Sequence, residues 1–506
     1  MENPLWGALA DNPIIVKHMR SRLRRAQVVP AIIVILCLCG VFSYLGTITA
    51  GALGGFFYTL SFIAMLVLVI GGANQVAMAV GMAKESGILD FHRISPLPPS
   101  TVALGFFFGA PIREYVLFAV MVPFLIFTGI MAGMSFLGFI DFFVPLFTTT
   151  WLIHSIAIYV ALVSKKPRMA SVGVIVLTMI SLWAGSIGLA GLAMARGPNA
   201  PMINLNQIDF FGIPLPRTVF LALYEGTATI FFLIAATRKM RTDRALSFAK
   251  WEALVCMASI VALALGAFWR ANSVPFIVPT LLYVFVVAGI VLCGTMTPNL
   301  GEYLKGVRRA RRLEHHRAPI LSDSAANMWA VFGLSAWVLV GASIAWEAIE
   351  MVQPNGGFLP AGIQNGRLAY SQTIAVGVLT VAYYGLGLQY FSLKFGKKGE
   401  TYFRLFLFLI WVMPVLLGIV VLTAVASPQA AQMLMGVSPW AGMILSINGG
   451  PAANAAAADA VRFMALLPSV VFAFGFHYLV MLQQRRIDRD LAIATPRTVL
   501  KQPVLV

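Results

Sequence analysis

Few residues in this chain have the type and setting to do chemistry. Glu225 stands inside the apolar run "TVFLALYEGTATIFFLIAATRKMR" (218–241). A carboxylate there is costly unless it is used, so Glu225 is a candidate substrate or proton site, or the partner of a polar neighbour near a pathway. Glu347 and Glu350 lie near the end of another run, within reach of water. The six histidines are His18, His92, His154, His315, His316 and His477, and none pairs with Cys, Asp or Glu at metal-ligand spacing, so no metal site is expected. His154 and His477 fall within apolar runs, where a hydrogen bond to a neighbouring helix is expected over a proton relay. Cys37, Cys39, Cys256 and Cys293 also sit in apolar runs and read as small buried hydrophobes, not as a disulfide framework. Gly396-Lys397 is the one place to look for the end of a phosphate loop, but Phe391 stands where that loop needs glycine. The chain is therefore expected to bind no ATP and to be no enzyme in its own right.

The stretch "AKESGILDFHRISPLPPS" (83–100) is unlike its surroundings. Ile88, Leu89, Phe91, Ile94 and Leu97 supply apolar contacts, whereas Lys84, Glu85, Asp90, His92 and Arg93 supply charge. From Ser86 to Ile94 the pattern predicts about two helical turns, with Glu85 and Asp90 near the electropositive N-terminus. Pro96, Pro98 and Pro99 then stop the helix and fix its exit. A short, two-faced helix of this kind is a docking element or an interfacial helix lying on lipid. "NPIIVKHMRSRLRR" (12–25) reads similarly, with Ile14, Ile15, Met19 and Leu23 on one face and Lys17, Arg20, Arg24 and Arg25 toward headgroups.

These segments hang on long apolar elements. A hydrophobic fraction of 59% over 506 residues, with only 11% charged, excludes a soluble multidomain protein. About 20 apolar residues cross a bilayer as a helix. Twelve such spans are expected at 28–46, 56–80, 112–132, 143–163, 170–194, 217–237, 251–269, 275–296, 327–349, 371–392, 405–426 and 462–483. Pro30, Pro279, Pro414 and Pro468 predict local kinks. Residues 28–45 read as a retained first span, with no cleavable signal peptide before them. With these spans, all of the 36 Lys and Arg except Arg196, Arg217, Arg270, Arg367 and Arg462 fall on one side, which places both termini in the cytoplasm. The net charge of +17 is then a product of topology and anionic headgroups, and membrane lipids, not nucleic acid, are the expected partners. "GVRRARRLEHHR" (306–317) is the densest basic patch and suits lipid headgroups or an acidic partner.

Loop order repeats along the chain. In each half, two spans precede a longer cytoplasmic segment (81–111, then 297–326), and a brief basic turn follows (164–168, then 393–404). A long outer segment (195–216, then 427–461) precedes the last span. The expected architecture is an all-α polytopic membrane protein of two parallel six-span halves. Its parts are an elbow at 1–26, halves at 27–244 and 245–484, and a cytoplasmic tail at 485–506.

Two segments carry a family resemblance. "NP-x-x-x-K-x-x-R-x-R-x-R" before the first span, and "KESGILDFHRISPLPPSTVALGFFFGAPIREY" (84–115) after the second, resemble the permease subunits of type-2 ABC exporters. Glu85, Gly87, Leu89, Ser95, Pro96 and Leu97 match the family's acidic-x-Gly and Pro-Leu pattern. Ile88 replaces the usual threonine, and His92 stands at a normally apolar position. The resemblance implies an elbow helix, six spans per unit, a coupling helix after the second span and an outer re-entrant element before the sixth. This chain then looks like two such units fused. It further implies that a separate cytoplasmic ATPase, two copies per chain, brings the ATP and Mg that this chain lacks. Docking would fall on Glu85, Gly87, Leu89, Asp90, His92 and Arg93. A second patch at Glu302, Lys305, Arg308 and Arg309 lies in "TMTPNLGEYLKGVRRARR" (295–312), which departs from the acidic-Gly pattern. Location in a bacterial inner membrane and export of substrate follow from the resemblance as well.

Other classes remain open from the residues themselves. A proton-coupled secondary carrier also suits paired halves but needs buried ionisable groups, of which Glu225 is the clearest. A membrane scaffold needs none. An enzyme acting on lipids lacks a supporting constellation of His, Asp or Cys.

Overall fold

The computed structural model describes residues 12–48, 53–164, 207–243, 245–267, 277–313, 315, 318–320, 322–352, 366–424, 427–448 and 455–493. The chain groups into two compact units that meet in sequence between Ser247 and Phe248, with Asp209–Gly212 grouped with the second.

The first unit begins with α1 (Pro13–Arg22), whose first turn is closed by the Asn12 carboxamide accepting from the Ile14 and Ile15 amides. Then follow α2 (Arg25–Ile48) and α3 (Gly55–Glu85), which contains a π-helical turn at Leu66–Gly71. Gly87, at φ 76°, breaks the chain after α3 and starts α4 (Ile88–Ile94). The prolines at 98 and 99 do more than end α4. Pro99 occupies the first position of a further helix, α5 (Pro99–Gly109), where its missing N–H costs nothing. Next come α6 (Ile112–Met131) and α7 (Phe136–Val163). The strands β1 (Gln207–Phe210) and β2 (Ile213–Pro216) form a hairpin ahead of α8 (Arg217–Arg241). The hairpin adds a small sheet to the expected all-helical architecture. Its turn residues, Phe211 and Gly212, both have positive φ, the geometry that matches a two-residue turn to strand twist.

The second unit has α9 (Lys250–Ala267), α10 (Ile277–Met296) and α11 (Leu300–Arg312), followed by α12 (Met328–Val352) and α13 (Gly366–Phe395). After them come α14 (Gly399–Leu407), α15 (Met413–Ala424), α16 (Pro428–Gly436), α17 (Pro439–Asn448) and α18 (Ala455–Ile493). Residues 370–424 read as one 55-residue apolar helical run. The chain nevertheless reverses within it: Gly396 has φ 56°, and the Trp411 indole reaches back to donate to the Tyr383 hydroxyl. Phe403 and Phe406 pack on Phe391 across the same turn. Gly399 allows this closeness, since a Cβ there would lie 2.9 Å from the Ser392 Cα.

Among the described residues, nine helices are long and apolar enough to cross a membrane, or ten if the pair Thr280–Met296 and Leu300–Arg312, bent by 63°, is one span. The chain is thus a helical multi-pass membrane protein. Each expected span overlaps a described helix except 170–194, which lies outside the described residues, as do positions 268–269, 275–276 and 425–426 of three others. Of the expected kink sites, Pro30 and Pro468 lie inside α2 and α18. Pro279 sits in the first turn of α10, where an N–H would have no intrahelical acceptor, and Pro414 follows a π-helical turn at Phe408–Val412, where the ladder is already irregular.

Candidate functional site

The 84–94 segment is built around a division of labour between its charges. Lys84 and Arg93 face the protein. The Lys84 ammonium donates to the carbonyls of Leu162 and Ser164, at the end of α7. The Arg93 guanidinium donates to the carbonyls of Lys239 (3.1 Å) and Met240 (3.2 Å), at the end of α8. Both cations also approach Asp243, each at 3.9 Å. Helix C-termini offer unpaired carbonyls and the negative end of the dipole, so Lys84, in the last turn of α3, holds that helix end to α7, and Arg93 holds α4 to α8. Leu89, buried to 3%, supplies the apolar anchor.

What remains outward is a compact mixed face. Ile94 is 84% exposed and Phe91 64%, with Ile88 beside them at the i, i+3, i+6 spacing of one helical stripe. Asp90 is exposed, although it accepts from Arg93 at 2.5 Å, and Glu85 is exposed as well. Gly87 lies between the inward and outward groups. Of the candidate docking residues, Glu85 and Asp90 thus join the outer face, while Leu89, His92 and Arg93 hold the helix in place. His92 is half-buried with Nδ1 unpartnered, and burial, aided by the Lys17 ammonium, holds its pKa below the ordinary histidine range. A neutral ring can occupy that half-buried site.

The segment α1 packs on α5 through part of the apolar face read from the sequence, Ile14 and Ile15, together with Asn12 and His18. Its buried stripe is Asn12, Ile14 and His18, while Met19 is 42% exposed. The reason is α5: Ile14 packs over Gly105, where a Cβ would come within 2.6 Å of it, and Ile15 and His18 pack over Gly109. Asn12 Nδ2 donates to the Thr101 carbonyl at 2.8 Å, and His18 meets Phe106 edge-on. Burial, with Arg22 and Lys17 adding repulsion, lowers the His18 pKa to about 4.

In the second unit the candidate patch lies on α11. Asn299 caps the helix by accepting from the Glu302 amide. Tyr303, Val307 and Ala310 form its buried side, and Tyr303 and Val307 cluster with Leu393 and Ile487 from the ends of α13 and α18. Glu302 and Lys305 pair at 2.9 Å on the other side, next to the exposed Arg308, Arg309 and Arg312. The structure therefore collects Glu302, Lys305, Arg308 and Arg309 on one outward, basic face. Arg311 instead donates to the Asp488 carbonyl at 2.7 Å, tying α11 to α18. The segment leading to α12 is gathered by Lys250. Its side chain is 1% exposed, and its ammonium donates to the carbonyls of Ser322 (2.8 Å), Ala325 (2.6 Å) and Ala326 (3.2 Å).

Glu225 lies on α8 against α7. The Thr149 hydroxyl donates to one carboxylate oxygen at 2.7 Å, and the Thr148 hydroxyl donates to the other. No described cation pairs with it. His154 is fully buried, with Nε2 3.2 Å from the Leu68 carbonyl and Nδ1 3.3 Å from the Tyr115 hydroxyl. A carbonyl only accepts, so Nε2 carries the proton and Nδ1 accepts from Tyr115. His477 packs against Phe332. Among the described residues no group of three or more His, Cys, Asp or Glu is arranged to hold a metal.

Sequence reasoning passed over Glu114. This residue is 2% exposed; its Oε1 accepts from the Arg113 guanidinium at 2.8 Å, and its Oε2 has no hydrogen-bond partner. Nearby, Arg22 of α1 donates to Gln75 of α3, so α1 and α3 meet in a polar contact close to the start of α6. Burial pulls the Arg22 pKa down and the Glu114 carboxylate acts against it. The available signal was "APIREY", in which adjacent opposite charges open a span. Compared with family models, curated proteins and solved structures, the chain matches none.

Proposed function

We propose that the chain is the permease subunit of an ABC-type transporter, an exporter, driven by a separate cytoplasmic ATPase. In this reading it has twelve spans in two six-span halves in the cell membrane, both termini are cytoplasmic, and two ATPase copies supply the bound ATP and Mg. The observation that carries the reading is the wiring of α4. A helix with an exposed apolar stripe and the exposed Asp90 is pinned by Arg93 to the end of α8, and the adjoining end of α3, with the exposed Glu85, is held by Lys84 to the end of α7. A push on Ile88, Phe91 and Ile94 from a partner would therefore be delivered to two spanning helices, which is what coupling to a remote motor requires. The basic face of α11 supports a second, differently charged contact in the other unit, and the family resemblance of 84–115 points to the same partner.

The test is site-specific photo-crosslinking from position 94, with Phe91→Glu/Ile94→Glu as the docking-deficient form. The expected result is a crosslink to an ATP-hydrolysing protein, and loss of ATPase stimulation in the double variant at unchanged membrane abundance. A crosslink to lipid alone, with stimulation unchanged, would make α4 an interfacial helix and end the proposal.

A further inference from the structure

Two stripes of opposite character run along α11. Tyr303, Gly306, Val307 and Ala310, at the i, i+3, i+4, i+7 spacing of one helical face, are buried. Tyr303 and Val307 cluster with Leu393 and Ile487, and Gly306 lies so close to Ser324 that a Cβ there would overlap its side chain. Lys305, Arg308, Arg309 and Arg312 repeat the same spacing two residues along, about 200° around the axis, and all are exposed. Glu302 flanks this row and pairs with Lys305 at 2.9 Å. Lys394 and Arg486, the exposed neighbours of Leu393 and Ile487, extend the positive surface. Because α11 leaves α10 at 63°, it runs across the ends of α13 and α18 and does not continue the span.

The direction of the two stripes favours one kind of anionic partner. A helix that lies on lipid puts its apolar stripe into the boundary between headgroups and acyl chains. In α11 that stripe is already packed against protein, and Arg311 ties the helix further by donating to the Asp488 carbonyl at 2.7 Å. What α11 presents outward is a fixed row of charge, which fits an acidic protein surface. The outward face of α4 is the reverse, an apolar stripe of Ile88, Phe91 and Ile94 beside the exposed Asp90. We infer that the outward face of α11 docks an acidic surface of the ATPase, by charge where α4 docks by apolar burial. This rests on the permease reading above and sets the chemistry of the second contact. Salt screens exposed charges, so ionic strength acts on the α11 contact and spares the α4 contact.

The experiment places a photo-crosslinker at position 94 or position 313 of the full-length chain in its native membrane, in low and high KCl (about 50 and 500 mM). Leu313 is exposed and follows Arg312, so a probe there leaves every cation of the row in place. The expected result is a crosslink from both positions to an ATP-hydrolysing protein, with the 313 product mapping to a peptide rich in Asp and Glu. High salt should lower the 313 yield about fivefold or more and leave the 94 yield within about twofold. Arg308→Glu/Arg309→Glu should remove the 313 product and keep the 94 product, whereas Arg308→Lys/Arg309→Lys, which keeps the charge, should retain both. Both arginines are exposed, so membrane abundance should not change. With the 94 crosslink intact, a 313 crosslink to lipid alone, one indifferent to salt, or one that survives charge reversal would overturn this inference and leave the permease reading standing. Absence of an ATPase crosslink from position 94 would end that reading and this inference with it.

Discussion

Gly72 lies so close to the His154 ring that a Cβ there would overlap it, whereas Gly40 has nothing within 4 Å. Gly72→Ala is therefore expected to lower stability by about 1–3 kcal/mol through overpacking, while Gly40→Ala stays near neutral. Thermal unfolding in detergent checks the contrast. His18 gives a pH dependence of defined sign. Its pKa falls from 6.5 to about 4 on folding, so the folded state disfavours the imidazolium. The stabilising contribution is complete above pH 6.5 and is lost as pH falls toward 4. The unfolding midpoint should decline across that window, and the decline should shrink in His18→Phe, which keeps the ring against Phe106. An unchanged pH profile in that variant would contradict the assignment. Residue types were legible here, but partners were not. Glu225 announced itself by standing alone in an apolar run, yet its threonines follow only from how α7 and α8 pack. Glu114 escaped because its neighbour Arg113 made the pair look like solvent-facing charge.

At the scale of elements, two cations do similar jobs with different geometry. Arg93 bonds the last carbonyls of α8, so Arg93→Ala should loosen α4 and uncouple any ATPase while leaving the long helices inserted. Limited proteolysis near 86–98, paired with membrane abundance, separates those effects. Lys250 is the stricter case, because removing its ammonium leaves several buried carbonyls unpaired. Lys250→Met is expected to cost about 3 kcal/mol or more and to raise protease cleavage between 318 and 327; an unaltered digestion pattern would refute the clamp. The sequence pattern anticipated both short helices, and their charged faces, from apolar spacing and the prolines. Of the apolar face read on α1, Ile14 is buried and Met19 is exposed, because the glycines of α5 receive Ile14 and His18, a packing that apolar spacing does not reveal. The reversal at Gly396 was legible as a basic turn between apolar runs, although the helical run itself continues almost unbroken.

For the whole molecule, charge asymmetry carries the proposed sidedness, because lipid excludes charge regardless of side-chain detail. The helical membrane character follows directly from the apolar run lengths, whereas the small hairpin at 207–216 depends on a local turn that span counting ignores. Placing the 393–404 turn in the cytoplasm predicts that Lys397→Cys, in a background with Cys37 replaced, resists a membrane-impermeant maleimide on intact cells and reacts after permeabilisation. Labelling of intact cells would invert the topology. The central claim, that this protein is a permease moved by a separate ATPase docked on α4, is tested most directly by gentle purification from its native membrane with quantitative mass spectrometry. The account predicts a stoichiometric ATP-hydrolysing subunit in the wild-type preparation, lost in Phe91→Glu/Ile94→Glu. Recovery of the chain without any such subunit, or its equal recovery from both forms, would contradict it.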